Sequence, residues 1–318
     1  MHGVTLEVRA DDPAVIEAMA LRFCDLTGAL DPAAPVVSFE FNSLAPPRLP
    51  LDGGRPVYET PHGSLHYFAA DDLLAGELGG VALRCEPGAA RATITAPAFR
   101  ARTLYFAAHP VATVALMELM ERREHFSLHA ACLANADGDG LLVSGPSGAG
   151  KSTLTLALAR AGMEFLGDDT VFLKRPARWP GAIRALGFAD ALGLGAFAAG
   201  RFPELAALAG EAPADGFPKR LHRFERLFGR PPGATCTPRV IVFPEVEADQ
   251  PSTVTALDRG EALLRLVPDV LVTEARGTQA HIDVIAGLLH QVRCYRVVSG
   301  HDLEHAAALV RRLLTLQA

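Results

Sequence analysis

A glycine-rich turn between an apolar run and a helical run is the feature that most constrains the fold of this chain. Residues 141–143 have the composition of a short buried strand, and the Leu/Ala-rich residues 153–160 predict a helix. The turn between them fits the pattern GxxxxGKS/T at Gly145, Gly150, Lys151 and Ser152. A strand, a glycine loop and a helix in this order predict an α/β domain whose loop N–H groups and helix N-terminus bind phosphate.

Lys151 and Ser152 carry the chemistry expected of such a loop. The Lys151 ammonium group would reach the β- and γ-phosphates of a nucleoside triphosphate, and the Ser152 hydroxyl would bind Mg²⁺. The alternative is a chance glycine turn followed by a lysine, but the strand, the loop and the helix all occur in the required order. The loop therefore predicts binding of a nucleoside triphosphate.

Two adjacent carboxylates, Asp168 and Asp169, follow the loop at a spacing that indicates a second motif. Asp168 lies 17 residues after Lys151, which leaves room for one helix of about three turns and one short strand. One aspartate could then bind the metal while its neighbour accepts a proton from an attacking hydroxyl. The alternative is an ordinary Asp-Asp turn with solvated side chains.

His129 is expected on the strand that precedes the loop strand. Residues 125–145 predict a β-hairpin whose turn is at 135–140 and whose second strand is at 141–144. A hairpin would place His129 beside the loop, where it could approach the γ-phosphate or the acceptor. The alternative is a satisfied core histidine among small residues.

The distribution of strand-like and helix-like segments predicts two domains. Residues 1–103 contain strand-like stretches separated by proline, glycine and aspartate, with one helix near residues 13–26. Strands and helices alternate from residue 104 to the end. We therefore expect a small β-rich (α+β) domain at 1–103 and an α/β nucleotide-binding domain at 104–318. Helices in the second domain are expected at residues 111–123, 153–160, 256–266, 279–290 and 303–314.

Residues 217–230, FPKRLHRFERLFGR, predict an amphipathic helix with a basic face. Its basic residues are Lys219, Arg220, Arg223, Arg226 and Arg230, and its apolar residues are Leu221, Phe224 and Phe228. Such a helix is ordinarily a solvated surface element, but Lys219, Arg220 and Arg223 could also form a cationic lid that binds phosphate or an acidic substrate. Arg239, at the start of a strand-like run, is a further candidate for stabilising transition-state charge.

Composition sets the expected environment of the protein. The 318 residues carry a formal net charge of −6, which gives no electrostatic reason to expect nucleic acid or an anionic membrane as partner. The five cysteines lie far apart without metal-binding spacing and predict reduced thiols. The N-terminus lacks a signal pattern, and no apolar run in the sequence approaches the roughly 18 residues of a membrane helix. The expected location is the cytoplasm.

The histidine, hairpin, glycine loop, helix and Asp pair of residues 129–173 together resemble the catalytic core of the HPr kinase/phosphorylase family, a core shared with phosphoenolpyruvate carboxykinase. The chain is also similar to a loose group of HPr-kinase-like bacterial proteins with a separate β-rich N-terminal domain, a group that includes kinases of lasso-peptide precursors. The resemblance implies an α/β P-loop kinase domain of the HPr kinase/phosphoenolpyruvate carboxykinase type, preceded by a smaller β-rich domain.

The resemblance also implies an activity and roles for individual residues. The activity is phosphorylation of a serine hydroxyl in a protein or peptide, with ATP and Mg²⁺ as cofactors. The residues that would hold the triphosphate are Gly145, Pro146, Ser147, Gly148, Ala149, Gly150, Lys151, Ser152 and Thr153. Ser152 and Asp169 would bind the metal, Asp168 would act as general base, and His129 would take the place of the family histidine.

Two further functions stay open at this point. A small-molecule kinase could use the same core, and a regulator could bind ATP without transferring phosphate. The acidic, glycine-bearing signature of HPr kinases is not evident after the Asp pair, because Asp190 is the one acidic residue of residues 185–197. Phosphorolysis and HPr as substrate are therefore not implied. An ABC-type ATPase is disfavoured because no LSGGQ-like signature follows the loop, and the sequence leaves the oligomeric state open.

Overall fold

The computed structural model has a mixed α/β fold in two compact units, the first built on Met1–His125 and the second beginning at Phe126. The residues that it describes are 2–23, 31–47, 53–176, 181–188, 192–195, 202, 219–247, 249–270, 275–300 and 302–316. The division falls later in the chain than the expected boundary between residues 103 and 104, because the helices that follow residue 100 belong to the first unit.

A seven-stranded mixed sheet forms the centre of the first unit. Its strands are β1 Thr5–Ala10, β2 Val36–Ser43, β3 Arg55–Thr60, β4 Gly63–Phe68, β5 Leu73–Leu78, β6 Val81–Glu86 and β7 Arg91–Ala96. They lie in the order β1-β2-β7-β6-β5-β4-β3, with β1, β2 and β7 parallel and the other pairs antiparallel. The unit is β-rich, as expected. β5 was not expected, since its sequence LLAGEL is poor in β-branched and aromatic residues.

Helices complete the first unit. Helix α1, Pro13–Arg22, connects the parallel strands β1 and β2, and the Asp12 side chain caps it by accepting a hydrogen bond from the Ala14 N–H at 3.0 Å. Helix α2, Ala101–Phe106, continues through a π-helical turn, Ala107–Val111, into α3, Ala112–Glu121. Helix α3 packs against β7.

The segment Ala101–Glu121 is long and apolar enough, by length and composition alone, to cross a membrane. Its most apolar window has a mean hydropathy of 1.3, and 67% of that window is buried inside the fold. The sequence-based statement that no apolar run approaches membrane length therefore overlooked this segment. Its burial is what the core helix of a folded unit shows.

A mixed sheet of nine strands forms the centre of the second unit. The strands are β8 His125–Leu128, β9 Ala130–Ala134, β10 Asp139–Ser144, β11 Glu164–Gly167, β12 Val171–Lys174, β13 Arg184–Gly187, β16 Thr235–Val246, β17 Thr253–Leu257 and β18 Arg293–Ser299. Seven of them follow the order β11-β9-β10-β16-β13-β12-β8, while β18 pairs with β16 and β17. Two further strands, β14 Leu192–Gly195 and β15 Lys219–His222, form a separate antiparallel ribbon.

Helices cover both faces of this sheet. They are α4 Lys151–Arg160, α5 Phe224–Phe228, α6 Arg259–Leu266, α7 Ala275–Gln291 and α8 Leu303–Thr315, with a 3₁₀ turn at Val267–Asp269. Because side chains alternate along a strand, Leu141 and Val143 of β10 pack in one core with α4 and α8. Leu142 faces the opposite core, which α6 and α7 complete. The central strand is thus buried on both sides, as expected for a strand of an α/β domain.

Two sequence expectations in this unit are wrong in part. Residues 256–266 were expected to be helical, but 256 and 257 end β17, and α6 begins only after Asp258, whose side chain accepts a hydrogen bond from the Glu261 N–H at 2.9 Å. The expected basic helix at 217–230 is also wrong for its first half, because residues 219–222 form β15. Residues 217 and 218 lie outside the described residues.

The prediction that residues 217–230 bury an apolar face is confirmed at Phe224. This ring is buried and stacks on Phe165 with centroids 4.3 Å apart and on Phe228 at 4.5 Å.

The four described cysteines are buried free thiols, in agreement with the expected reduced state. Contact with Cys236 and burial raise the pKa of Cys132 well above its ordinary value, so this thiol stays protonated.

Candidate active site

The glycine loop lies at an edge of the sheet where several strand ends meet. β9 pairs antiparallel with both β10 and β11, with Ser144 opposite Ala130 and Gly167 opposite Cys132. The carboxyl ends of β10 and β11 and the amino end of β9 therefore share one edge. Ligands of α/β sheets bind at the carboxyl ends of the parallel strands. The predicted hairpin of β9 and β10 is confirmed.

Three glycines of the loop adopt backbone conformations that other residues rarely take. The φ angles are 145° at Gly145, 85° at Gly148 and 93° at Gly150. The backbone angle at Gly150 favours glycine, and a β-carbon there would also lie 2.9 Å from Cγ2 of the exposed Val246, so that side chain would have to shift. Residues 146–148 are exposed, which leaves the loop open to a ligand.

The N-terminus of α4 presents backbone donors to the loop. Gly150 is the N-cap residue and provides no side-chain cap. The first N–H groups of a helix have no partner within the helix, and the helix dipole adds positive potential at the same point. The Lys151 side chain, which is buried, folds back and donates to the carbonyl oxygens of Gly145 and of Pro146, the latter at 3.3 Å. These groups form a cradle for an anion.

Asp168 lies beside the start of α4. It follows β11 directly, and its Oδ2 accepts a hydrogen bond from the Ser152 hydroxyl at 3.0 Å. The sequence analysis had placed Asp169, rather than Asp168, with Ser152 at the metal. The contact in the structure is made by Asp168, the residue directly after β11, and the roles of the two aspartates stay a prediction.

Asp169 lies against His129 instead. His129 Nδ1 and Asp169 Oδ1 are 3.4 Å apart, and both side chains are partly exposed, at 38% and 44%. The sequence predicted His129 within a strand. In the structure it lies between two strands, after the end of β8 and before the start of β9. The next residue, Ala130, pairs with Ser144 at the end of β10. The histidine is therefore at the same edge as the loop.

Asp269 is a site residue that the sequence analysis missed. Its Oδ2 accepts hydrogen bonds from the Ser144 hydroxyl at 2.6 Å and from the Gly145 N–H at 3.1 Å. Its backbone oxygen accepts from the His129 N–H at 2.8 Å. Asp269 lies in the 3₁₀ turn after α6, 124 residues from Gly145. No local motif surrounds it, so the sequence offered no signal for it.

Arg239 is not brought to the loop. It lies where β16 pairs with the beginning of β10, and its Nε donates to Asp139 Oδ1 at 2.8 Å. Gly145 follows the other end of β10, roughly 15–20 Å away along a strand of this length. The expectation that Arg239 stabilises transition-state charge is therefore wrong for this arrangement.

The ribbon of β14 and β15 carries the other basic candidates. Lys219 and Arg220 pair through their backbones with Gly195 and Leu194, and Arg223 is the partly buried N-cap residue of α5. Directly after it, Phe224 stacks on Phe165 of β11, three residues before Asp168. This contact anchors the end of the ribbon near the Asp pair. The side chains of Lys219 and Arg220 lie outside the described residues.

The donor set fits Mg²⁺ bound together with a nucleotide. A hydroxyl and a carboxylate oxygen, from Ser152 and Asp168, are hard oxygen ligands of the kind that Mg²⁺ prefers. Across the described parts of the chain no group of three or more His, Cys, Asp or Glu side chains is arranged to hold a metal ion. A nucleotide-bound Mg²⁺ does not need three such side chains, because it usually binds through one or two protein groups, phosphate oxygens and water.

Comparison with protein-family models gives no match. No curated protein matches the sequence either. A solved structure with partial similarity is an HPr(Ser) kinase/phosphatase from Coxiella burnetii, at 16% sequence identity and a TM-score of 0.30. The similarity covers 58% of this chain and 94% of that chain. Because similarity at this level carries no argument about function, the geometry of the site has to support any functional proposal.

Proposed function

We propose that the second unit is a Mg²⁺- and ATP-dependent kinase that transfers the γ-phosphate to a serine hydroxyl of a protein or peptide. The observation that carries the proposal is the placement of two adjacent carboxylates on two different partners. Asp168 contacts Ser152 at the start of α4, and Asp169 contacts His129 at the same sheet edge. The Asp168–Ser152 pair would bind the metal and the nucleotide, and the Asp169–His129 pair would face the acceptor hydroxyl. Serine as the acceptor is supported by the resemblance of residues 129–173 to HPr kinases.

The loop would bind the triphosphate through its backbone. The N–H groups at the start of α4 would donate to phosphate oxygens, and the Lys151 ammonium would exchange its two carbonyl contacts for the β- and γ-phosphates. These contacts already hold the Lys151 side chain over the loop. Little side-chain entropy would therefore be lost when a nucleotide binds.

Ser152 and Asp168 would hold Mg²⁺, which when bound would neutralise charge on the phosphates. A cation is needed on electrostatic grounds as well. Asp168, Asp169 and Asp269 all lie at this edge, and Lys151 is the cation of the loop itself. A triphosphate brought beside three carboxylates and one ammonium group would meet net repulsion without a divalent ion.

Asp169 would act as the general base, with His129 as its neighbour. As the serine oxygen forms its bond to the γ-phosphorus, the bond between that phosphorus and the β–γ bridging oxygen breaks and ADP leaves. The serine proton passes to the Asp169 carboxylate, and the 3.4 Å contact with His129 orients that carboxylate. A regulator that only binds ATP would need no such pair, so the pair favours catalysis.

The experiment is transfer from radiolabelled Mg-ATP to two pools of random peptides. One pool contains serine as its hydroxyl residue, and the other contains threonine and tyrosine. Label in the serine pool that is absent with Lys151→Met would support the proposal. If calorimetry detects no ATP binding, the proposal is wrong. Binding and turnover without transfer to either pool would instead favour a small-molecule acceptor.

The basic residues of β15 and of the start of α5 predict which residues flank the phosphorylated serine in a peptide substrate. If Arg220 and Arg223 contact the acceptor, peptides with acidic residues near the serine should be preferred. The double variant Arg220→Ala/Arg223→Ala should raise the KM for such peptides, while exposed Arg226→Ala on α5 serves as the control. Equal KM values for acidic and neutral peptides would remove the ribbon from the substrate site.

A further inference from the structure

We infer that Asp269 is a positioning residue that holds the phosphate loop and His129 in one fixed geometry, so that phosphate donor and acceptor are aligned for transfer. The inference rests on the proposed kinase function. Asp269 contacts the loop through its side chain and the histidine through its backbone, and one residue therefore links the two halves of the site.

The side-chain contacts fix the point where the loop leaves the strand. Both the Ser144 hydroxyl and the Gly145 N–H donate to the same Oδ2 atom, at 2.6 Å and 3.1 Å. Ser144 is fully buried at the end of β10. Hydrogen bonds to a carboxylate are stronger than those between neutral groups. The first peptide of the loop, at Gly145 with its φ of 145°, is thus held by a charged acceptor.

The backbone contact fixes the histidine. His129 lies between β8 and β9, where the chain leaves one strand for another, and its N–H donates to the Asp269 oxygen at 2.8 Å. The position of the histidine backbone is thus tied to the same residue as the loop. His129 in turn contacts Asp169. A displacement of Asp269 would change the distance between the loop and the acceptor side of the site.

Asp269 is itself held on a rigid element. It ends the 3₁₀ turn that continues α6, whose Ala262 and Leu266 are buried beneath the sheet. The other end of this helix is capped by Asp258. Because the Asp269 carboxylate binds the loop's own atoms, it would act on the reaction only through the groups that it orients.

The experiment compares Asp269→Ala with Asp258→Ala. The second variant is a matched control, since it removes the cap of the same helix without touching the loop. The main readout is the ratio of ATP hydrolysed to phosphoserine formed, which does not depend on the amount of folded enzyme. A second readout is amide hydrogen exchange at Gly145 in the nucleotide-free protein. Asp269→Asn and Ser144→Ala serve as milder variants if Asp269→Ala folds poorly.

We expect Asp269→Ala to lower phosphoserine formation by about tenfold or more, the usual effect of losing hydrogen bonds to a charged group. Its hydrolysis ratio and Gly145 exchange should rise, while both stay at wild-type values in Asp258→Ala. Asp269→Asn, which keeps one acceptor oxygen, should lie in between. Equal ratios in the two alanine variants, or unchanged Gly145 exchange, would overturn the inference. A wild-type protein that transfers no phosphate would instead overturn the proposed function.

Discussion

At the scale of single residues, the partner of each carboxylate decides its chemistry. Asp168 and Asp169 are chemically identical neighbours, yet one accepts a hydrogen bond from Ser152 and the other faces His129. Beside a hydroxyl at a helix N-terminus, a carboxylate is suited to a metal and phosphate. Beside a partly exposed histidine, it is suited to receive a proton from an incoming group.

The two aspartates should therefore respond differently to amide substitution. Asp168→Asn should weaken Mg-ATP binding and shift the Mg²⁺ titration of activity to higher concentrations. Asp169→Asn should keep Mg-ATP affinity and lower kcat by about 10² to 10⁴, the usual contribution of a general base. Calorimetry and steady-state kinetics at several Mg²⁺ concentrations would check both. The opposite pattern would restore the order of roles expected from the sequence.

At the scale of elements, the loop is shaped by a strand that comes much later in the chain. Gly150 starts α4 at a φ of 93°, and Val246 at the end of β16 occupies the space where a side chain would project. A β-carbon at position 150 would therefore require the exposed Val246 side chain to shift. Gly148 has a similar φ of 85° but no atom within 4 Å of its would-be β-carbon.

This contrast gives a graded series of variants. Gly148→Ala should cost only the backbone strain of a positive φ, about 1–2 kcal/mol, and retain Mg-ATP binding. Gly150→Ala should also push the Val246 side chain aside and therefore lose more of the binding than Gly148→Ala. Adding Val246→Ala to Gly150→Ala should restore part of the affinity, because the clashing atom is removed. Calorimetric Kd values would check the series, and equal losses in the two single variants would contradict the steric explanation.

The sequence predicted the elements whose signals are local. Periodicity and turn residues sufficed for the β9–β10 hairpin, for α4 and for α8, because each depends on residues close together in the chain. The residues that complete the site are set by tertiary contacts instead. Asp269 lies 124 residues from the N–H that it binds. The first half of the basic segment forms a strand instead of a helix, because pairing of β15 with β14 overrides its helical periodicity.

At the scale of the whole molecule, nucleotide binding should couple to stability. The loop geometry requires β10, β16 and Asp269 together, so an unfolded chain cannot reproduce it. A ligand that binds only the native state stabilises it by about 2.7 kcal/mol at a concentration of 100 times Kd. The effect belongs to the second unit, in which all of these residues lie.

Mg-ATP should therefore raise the Tm of the second unit by about 5–10 °C at that concentration, given the usual 2–4 °C per kcal/mol for domains of 150–250 residues. Lys151→Met should show little shift, and so should the wild-type protein with ATP and excess EDTA, because the uncompensated carboxylates repel the triphosphate. Scanning calorimetry would check this. A full shift in EDTA would contradict the proposed role of the divalent ion.

The position of Asp269 in the chain also sets when the site can first exist. Ser144 is synthesised 125 residues before the carboxylate that binds its hydroxyl. At roughly 5–20 residues per second, the ribosome needs about 6–25 s to cover that interval. During this interval the glycine loop lacks its neighbouring strand β16 until residue 246 is made, and it lacks the Asp269 carboxylate until the end. The loop therefore cannot reach its folded geometry, and no ligand that requires this geometry can stabilise the nascent chain, until those later segments emerge.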